Sequence, residues 1–403
     1  MPVTACTGSP YSPSVIRRTC VAVLAAAGLL AGCSSSGTPS TDVLHPHWHE
    51  VTLPLPGADG RIALRDATWC GGDWYVVGAV VRADGSTRPA AWTSSDGRSW
   101  HSLAIDPTDY YARRAILYSV ACRDGRVAAI GAKSGGAHGN PRTATWRMRD
   151  DGALQNVPAS FELYGGPHAL SVNRIAGGPD GWAIAGARSS GAAAWVAGPD
   201  SIGFRIIDHD PELASNASRT TSALDVVHDG TAWTVVGRAE ETGRISPVPE
   251  AWTSNDGTRW SAQQVPSRTD GFADLERVAR DDDGLLAVGI RDRRFGTWRR
   301  TGGRWQATET FGALDRRGTG APFVSGLATT TGRSVVTASD GAVFRVWART
   351  GPRAWRPVTT PTRPANNGDD LLTVAADATT VLLLSDDGTS GRVWLTDWNT
   401  LGR

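Results

Sequence analysis

From residue 48 onward the apolar positions of this chain come in short runs broken by turns rich in Gly and Asp. No stretch keeps the i, i+3, i+4 recurrence of an amphipathic helix for long, so the pattern predicts short β-strands throughout. The runs repeat. Five of them end in glycine: Tyr75-Val76-Val77-Gly78, Ala128-Ala129-Ile130-Gly131, Ala183-Ile184-Ala185-Gly186, Thr234-Val235-Val236-Gly237 and Leu286-Ala287-Val288-Gly289. Two more end in Ala338 and Ser385. A tryptophan follows each run, at Trp92, Trp146, Trp195, Trp252, Trp298, Trp347 and Trp394, with gaps of 46 to 57 residues. An earlier run precedes each, such as Leu117-Tyr118-Ser119-Val120-Ala121, and a later segment is marked by Trp100, Phe204, Trp260, Trp305 or Trp355.

Each unit therefore holds four short strands, and four strands cannot cover both of their own faces. Units of this length pack radially, which predicts an all-β, seven-bladed β-propeller over residues 48–403. The seventh unit ends soon after Trp394, with little chain left for an outer strand. Trp48-His49-Glu50-Val51 resembles the outer segment Trp355-Arg356-Pro357-Val358, so the N-terminal strand is expected to complete the last blade and leave no open sheet edge.

The first 32 residues read differently. Arg17 and Arg18 precede an uncharged apolar stretch from Thr19 to Leu30, too short for a permanent span but of the length of an export signal. Leu30-Ala31-Gly32-Cys33 resembles the lipobox of bacterial lipoproteins, which implies cleavage before Cys33 and lipidation of its thiol. Residues 33–47 open on a Ser/Gly/Thr/Pro run, the composition of a flexible tether. The expected location is the outer side of the cell membrane, held by the lipid anchor.

Charge narrows the partners. With Arg17 and Arg18 removed, 39 basic side chains face 40 acidic ones, and the mixed signs argue against nucleic acid. Lys133 is the single lysine, a bias that points to a GC-rich genome. Cys70 and Cys122 remain after processing. They occupy equivalent places at the ends of the first strands of units one and two, and in an oxidising compartment they are read as a disulfide. His45, His47 and His49 alternate on one face, but ligands from a single strand rarely complete a site. No metal and no cofactor are assigned, and a monomer is expected.

Two units carry one motif, Trp92-Thr93-Ser94-Ser95-Asp96-Gly97-Arg98-Ser99-Trp100 and Trp252-Thr253-Ser254-Asn255-Asp256-Gly257-Thr258-Arg259-Trp260. It resembles the Asp-box of BNR-like propellers, a group that includes sialidases, although that pattern separates Asp from Gly by one residue. An Asp-Gly pair suits a tight hairpin with positive φ at both positions, so Ser94, Asp96, Gly97, Trp100, Ser254, Asp256, Gly257 and Trp260 are expected to be structural.

The hairpins between second and third strands are longer in units one, two and four, around Val81 to Pro89, Ala132 to Arg142 and Arg238 to Pro249. They share a face with the connections between blades, where propellers usually bind. Candidate contacts on that face are Tyr110, Tyr111, Arg113, Arg114, Tyr164 and His168, of the residue types that anchor interfaces. With no GxSxG, HExxH or phosphate loop present, no catalytic residue is assigned. The favoured reading is a non-catalytic module for a protein, peptide or envelope glycan. The alternative implied by the resemblance is a sialidase-like glycoside hydrolase, whose Arg-Ile-Pro signature is absent: Arg174-Ile175-Ala176 and Arg244-Ile245-Ser246 depart from it.

Overall fold

The computed structural model describes residues 42–402 apart from 58, 136–140, 269, 316, 352 and 353. The leader, Cys33 and most of the tether lie outside the described residues. Seven sheets follow one another, each built on four antiparallel strands, so the fold is a seven-bladed β-propeller. Their innermost strands are Arg61–Cys70, Ile116–Arg123, Ala169–Gly178, Arg219–His228, Arg277–Asp281, Phe323–Thr330 and Leu371–Ala376. Each touches the next, and the seventh touches the first.

His49–Val51 closes the ring. It pairs antiparallel with the third strand of blade seven, Gly391–Asp397, His49 standing opposite Leu395 and Val51 opposite Val393. Packing also reaches further upstream than Trp48. Leu44 is buried and bridges to Val358 on the rim of blade six, and Asp42 pairs with Arg356 at 2.7 Å. A lone leucine in a polar stretch has no periodicity by which to declare itself. Blade two gains a fifth strand, Ile105–Asp106, which runs parallel to its outer strand Leu154–Val157.

The core is seven apolar layers, each lying between two blades. Successive residues of a second strand point to opposite layers. Val235 packs toward blade three and Val236 toward blade five; Leu285 and Ala287 face blade four, Leu286 and Val288 blade six. A strand buried on both faces reads as a continuous apolar run, which is the pattern found in the sequence.

The glycine that ends most of these runs has a steric cause. A Cβ on Gly78 would lie 1.9 Å from the carbonyl oxygen of Ala63, and one on Gly237 2.0 Å from that of Ser222. The innermost strand carries a bulge at this level in both blades, between Leu64 and Asp66 and between Ala223 and Asp225. The bulge pushes a carbonyl against the neighbouring strand. Blade seven pairs without any register shift, and there Ser385 is accommodated.

The repeated tryptophan has two roles. Trp92, Trp195, Trp252 and Trp298 are fully buried in the layers between blades. Their indole N–H groups also donate to the chain entering their own blade, at Pro54, Leu163, Glu212 and Pro266 carbonyls, over 2.6 to 2.9 Å. One side chain thus fixes a crossover onto a sheet.

Candidate functional site

Because the strands alternate in direction, the turns after first and third strands share one face, and the remaining hairpins and blade connections share the other. The first face carries the Asp-Gly turns and the disulfide. Asp96 Oδ1 accepts the amides of Arg98 and Ser99, both at 2.7 Å, and the Ser94 hydroxyl at 3.0 Å; Trp100 Nε1 donates to the Gly97 carbonyl. Asp256 repeats this with Thr258, Arg259 and Ser254, and Trp260 with Gly257. In these two turns the glycines alone have positive φ, Gly97 at 70° and Gly257 at 72°. The expectation that the aspartates would share it fails, because their carboxylates cap the turn instead. The two backbone amides hold Asp96 down to about 2 and Asp256 lower still. Cys70 and Cys122 form a disulfide between blades one and two.

On the opposite face Asp109 organises the connection that carries four of the candidate contacts. Its Oδ1 accepts the amides of Tyr111 and Ala112, both at 2.8 Å, starting the 3-10 turn Ala112–Arg114. Asn156, buried in blade two, donates to Asp109 Oδ2 at 3.0 Å and accepts the Thr108 amide at 2.6 Å. The long hairpin of blade one latches on through Thr87 Oγ1 to the Arg114 carbonyl. Asn156→Ala is expected to cost about 1–3 kcal/mol of local stability, since it orphans two partners. Amide exchange at Thr108, Tyr111 and Ala112 should then accelerate about tenfold or more while the strands stay protected.

Beside this turn lies a cleft of about 260 Å³, walled by Tyr111, Arg142, Val157, Pro158 and Phe161. Phe161 opens the short helix Phe161–Tyr164, which is held by Arg188 donating to the Glu162 and Gly165 carbonyls and by Trp195 donating to Leu163. The Arg142 guanidinium lies 3.9 Å from the Phe161 ring centre and 5.3 Å from that of Tyr111. Of the sequence candidates, Tyr111 lines the cleft. Tyr110 stands beside it with Arg114 stacked at 4.0 Å, and Arg113 is exposed. Tyr164 is not a surface contact: it is buried beneath its helix against Trp195 and Thr145, because its ring fills the layer between blades. His168 bonds the Ser189 hydroxyl at 2.8 Å, outside the cleft. His47 and His49 bond each other at 3.2 Å, while His45 turns to Thr359.

The axis carries polar groups that the sequence reading passed over. At one register position the innermost strands present Asp66, Ser119, Arg174, Asp225, Arg277, Gly326 and Thr373, opposite Val77, Ile130, Ala185, Val236, Val288, Thr337 and Leu384. Arg174 of blade three meets Asp66 of blade one at 3.1 Å, a contact possible only across the inside of the ring.

These groups, with their neighbours, clasp the blades together. Asp66 accepts the Val120 amide, Ser119 that of Ile175, Asp225 that of Val278 and Glu276 that of Val324. Asn173 donates to the Ala223 carbonyl and Ser325 to that of Leu372. Arg61 and Arg65 both reach Asp386, at 3.0 and 2.6 Å, and so join blade one to blade seven. Every junction of the ring has such a bond. All seven positions lie twelve residues before the small residue that ends the next apolar run, and six of the seven are polar, the seventh being Gly326, a signal available in the sequence.

Burial raises the pKa of Asp225, and raises that of Glu276 more strongly, with help from the neighbouring Asp274. Asp274, which accepts the Ile290 amide and faces Arg238 at 3.7 Å, is itself pushed up to about 6 by burial. A carboxyl with a raised folded-state pKa stabilises the fold when protonated and loses that contribution as pH rises through the folded value. Lowering the pH from 7 to 5 is therefore expected to stabilise the wild type relative to Asp274→Asn by about 1 kcal/mol. Melting curves of the two proteins across that window provide the measurement. His228, whose pKa is lowered by burial, works in the opposite direction in both and cancels.

No family model and no curated protein sequence matches this chain. Among solved structures it is similar to the β-propeller domain of the trilobed protease from Pyrococcus furiosus, with 10% identity and a TM-score of 0.49 over 84% of this chain and 94% of that one. The Trypanosoma rangeli sialidase gives 10% identity and 0.44 over 89% of this chain, and 60% of the sialidase is covered. An acylaminoacyl peptidase gives 11% and 0.45 over 84% of this chain and 51% of the peptidase. The likeness is one of fold alone.

Proposed function

We propose that this chain is a membrane-tethered, extracytoplasmic β-propeller lipoprotein that binds a protein, peptide or envelope glycan on its long-hairpin face without transforming it. The observation that carries this reading is the cleft of Tyr111, Arg142 and Phe161, whose walls are fixed from beneath by Asn156 and Arg188. Pre-set aromatic and arginine side chains lose little entropy on binding. The tether is supported by Arg17-Arg18, the apolar stretch and Leu30-Ala31-Gly32-Cys33. A photo-cross-linking residue at Tyr111, introduced into the lipid-anchored protein in intact cells, should capture a discrete adduct that the same probe at Arg98 does not. Equal labelling from both faces would overturn the assignment. Labelled fatty acid should be incorporated and be lost in Cys33→Ser.

A hydrolytic reading would rest on the axial arginines, carboxylates and Tyr118. Tyr118 donates to the Val172 carbonyl at 2.7 Å, and burial raises its pKa further. The carboxylates of Asp66, Asp225 and Glu276 are committed to backbone amides of the next blade. Groups engaged in this way hold the ring rather than attack a sugar. Release from a chromogenic glycoside panel, lost in Tyr118→Phe, would reverse this conclusion.

A further inference from the structure

We infer that the long-hairpin face takes an acidic, apolar segment of a partner protein, with a partner carboxylate clamped by Arg142 in the cleft. This deepens the binding reading above and rests on it. Arg142 is stacked against two rings, which holds its guanidinium plane, and its Nε is buried without a hydrogen-bond partner. Among the described residues no carboxylate pairs with it. A stacked guanidinium keeps its in-plane N–H groups free for the bidentate geometry that suits a carboxylate.

The surroundings have the same bias. Arg113 and Arg114 also form no ion pair among the described residues. Of the nearby acids, Asp109 spends its carboxylate on Tyr111, Ala112 and Asn156, and Glu162 pairs with none of the three arginines. Positive charge is left uncompensated where the cleft opens.

The apolar side chains favour peptide over sugar. Leu55, Tyr110, Tyr111, Phe161, Leu170 and Ile245 are the large apolar side chains exposed on this face, and Ile202 is the single one on the other, among the described residues. Leu170 is 67% exposed, and Ile245 is fully exposed. A sugar needs many polar side chains to bond its hydroxyl groups, and beside Arg142 and the committed Asp109 the cleft offers the hydroxyls of Tyr111, Thr143 and Ser160 among Pro141, Val157, Pro158, Ala159 and Phe161. Aliphatic groups with proline walls suit the side chains of a protein segment.

The test uses the full mature protein and defined probes: a short alternating Glu-Leu peptide, its Gln-Leu counterpart and an oligogalacturonate, each followed by fluorescence anisotropy. The Glu-Leu peptide should bind at least about tenfold more tightly than the Gln-Leu peptide and weaken as salt rises. Arg142→Gln should lose about tenfold or more, and Arg142→Lys should not restore it, because an ammonium lacks the planar fork. Should Arg142→Gln fold poorly, Arg113→Gln on the exposed turn and Phe161→Ala in the cleft wall should each weaken the same peptide. Equal affinity for both peptides, unchanged affinity in these variants, or no peptide binding would overturn the inference. Tight binding of the uronate alone would also overturn it, yet leave the binding module standing. A failure of the binding module itself would appear separately, as absence of a face-specific cross-link at Tyr111.

Discussion

Asp66→Ala is expected to destabilise the domain by about 3–5 kcal/mol, the cost of taking a buried carboxylate away from both a backbone amide and a half-buried arginine. Asp66 is buried at the axis, accepts the Val120 amide at 2.9 Å and pairs with Arg174. Removing it loosens the junction of blades one and two and leaves Arg174 facing Arg277 with one carboxylate fewer nearby. Calorimetry should record a fall in Tm on the order of 5–10 °C. Asp66→Asn keeps an acceptor for Val120 and should fall between alanine and wild type. The double variant Asp66→Ala, Arg174→Ala should lose less than the sum of the singles, because the second change removes the stranded charge. Additive losses, or an alanine variant that melts with the wild type, would show that the axial pair does not hold the ring.

A loss of similar size is expected from Trp252→Ala, again about 3–5 kcal/mol, since it empties a fully buried site in the layer between blades three and four. Trp252→Phe separates the two roles of the side chain. It keeps most of the packing but strands the Glu212 carbonyl, at a cost of about 1–2 kcal/mol. Trp146 provides the internal control, because its equally buried indole N–H finds no acceptor. Trp146→Phe should therefore be the milder of the two phenylalanine substitutions. Chemical denaturation of the three variants decides the order, and equal losses from phenylalanine at Trp146 and Trp252 would remove the crossover bond as the reason for the repeat.

These two residues also show how legible the chain was. Trp252 belongs to a pattern that repeats once per blade, and a repeating layer leaves its period in the sequence. Blade number, strand order and the closing strand His49–Val51 were legible for that reason. Asp66 belongs to a ring of different residues, Asp, Ser, Arg, Asp, Arg, Gly and Thr, whose common feature is register rather than identity. A bulge immediately precedes it and shifts the alternation that would otherwise mark the position.

The cleft was half legible. The connections bearing Tyr111 and Phe161 stood out by composition, yet Arg142 reads as one arginine among many until the fold sets it between their rings. Tyr164 misled because exposure was inferred from its place in a connection, whereas a four-residue helix turns one side inward. Leu44 stands outside the repeat, so no periodicity marks it although it packs into the layer between blades six and seven.

The pairing of His49–Val51 with Gly391–Asp397 has a consequence for timing. The outer strand of blade seven is synthesised before every other strand of the ring, and its partner after all the rest. Blades one to six can each gather their own strands as they emerge, but this strand must wait, edge unpaired, until the last strand of the ring has been made. Long-range pairing of this kind is slow, and an unpaired edge invites the wrong neighbour. The step most exposed to misassembly is thus the docking of one three-residue strand, and a chaperone that shielded residues 49–51 alone would guard the whole ring.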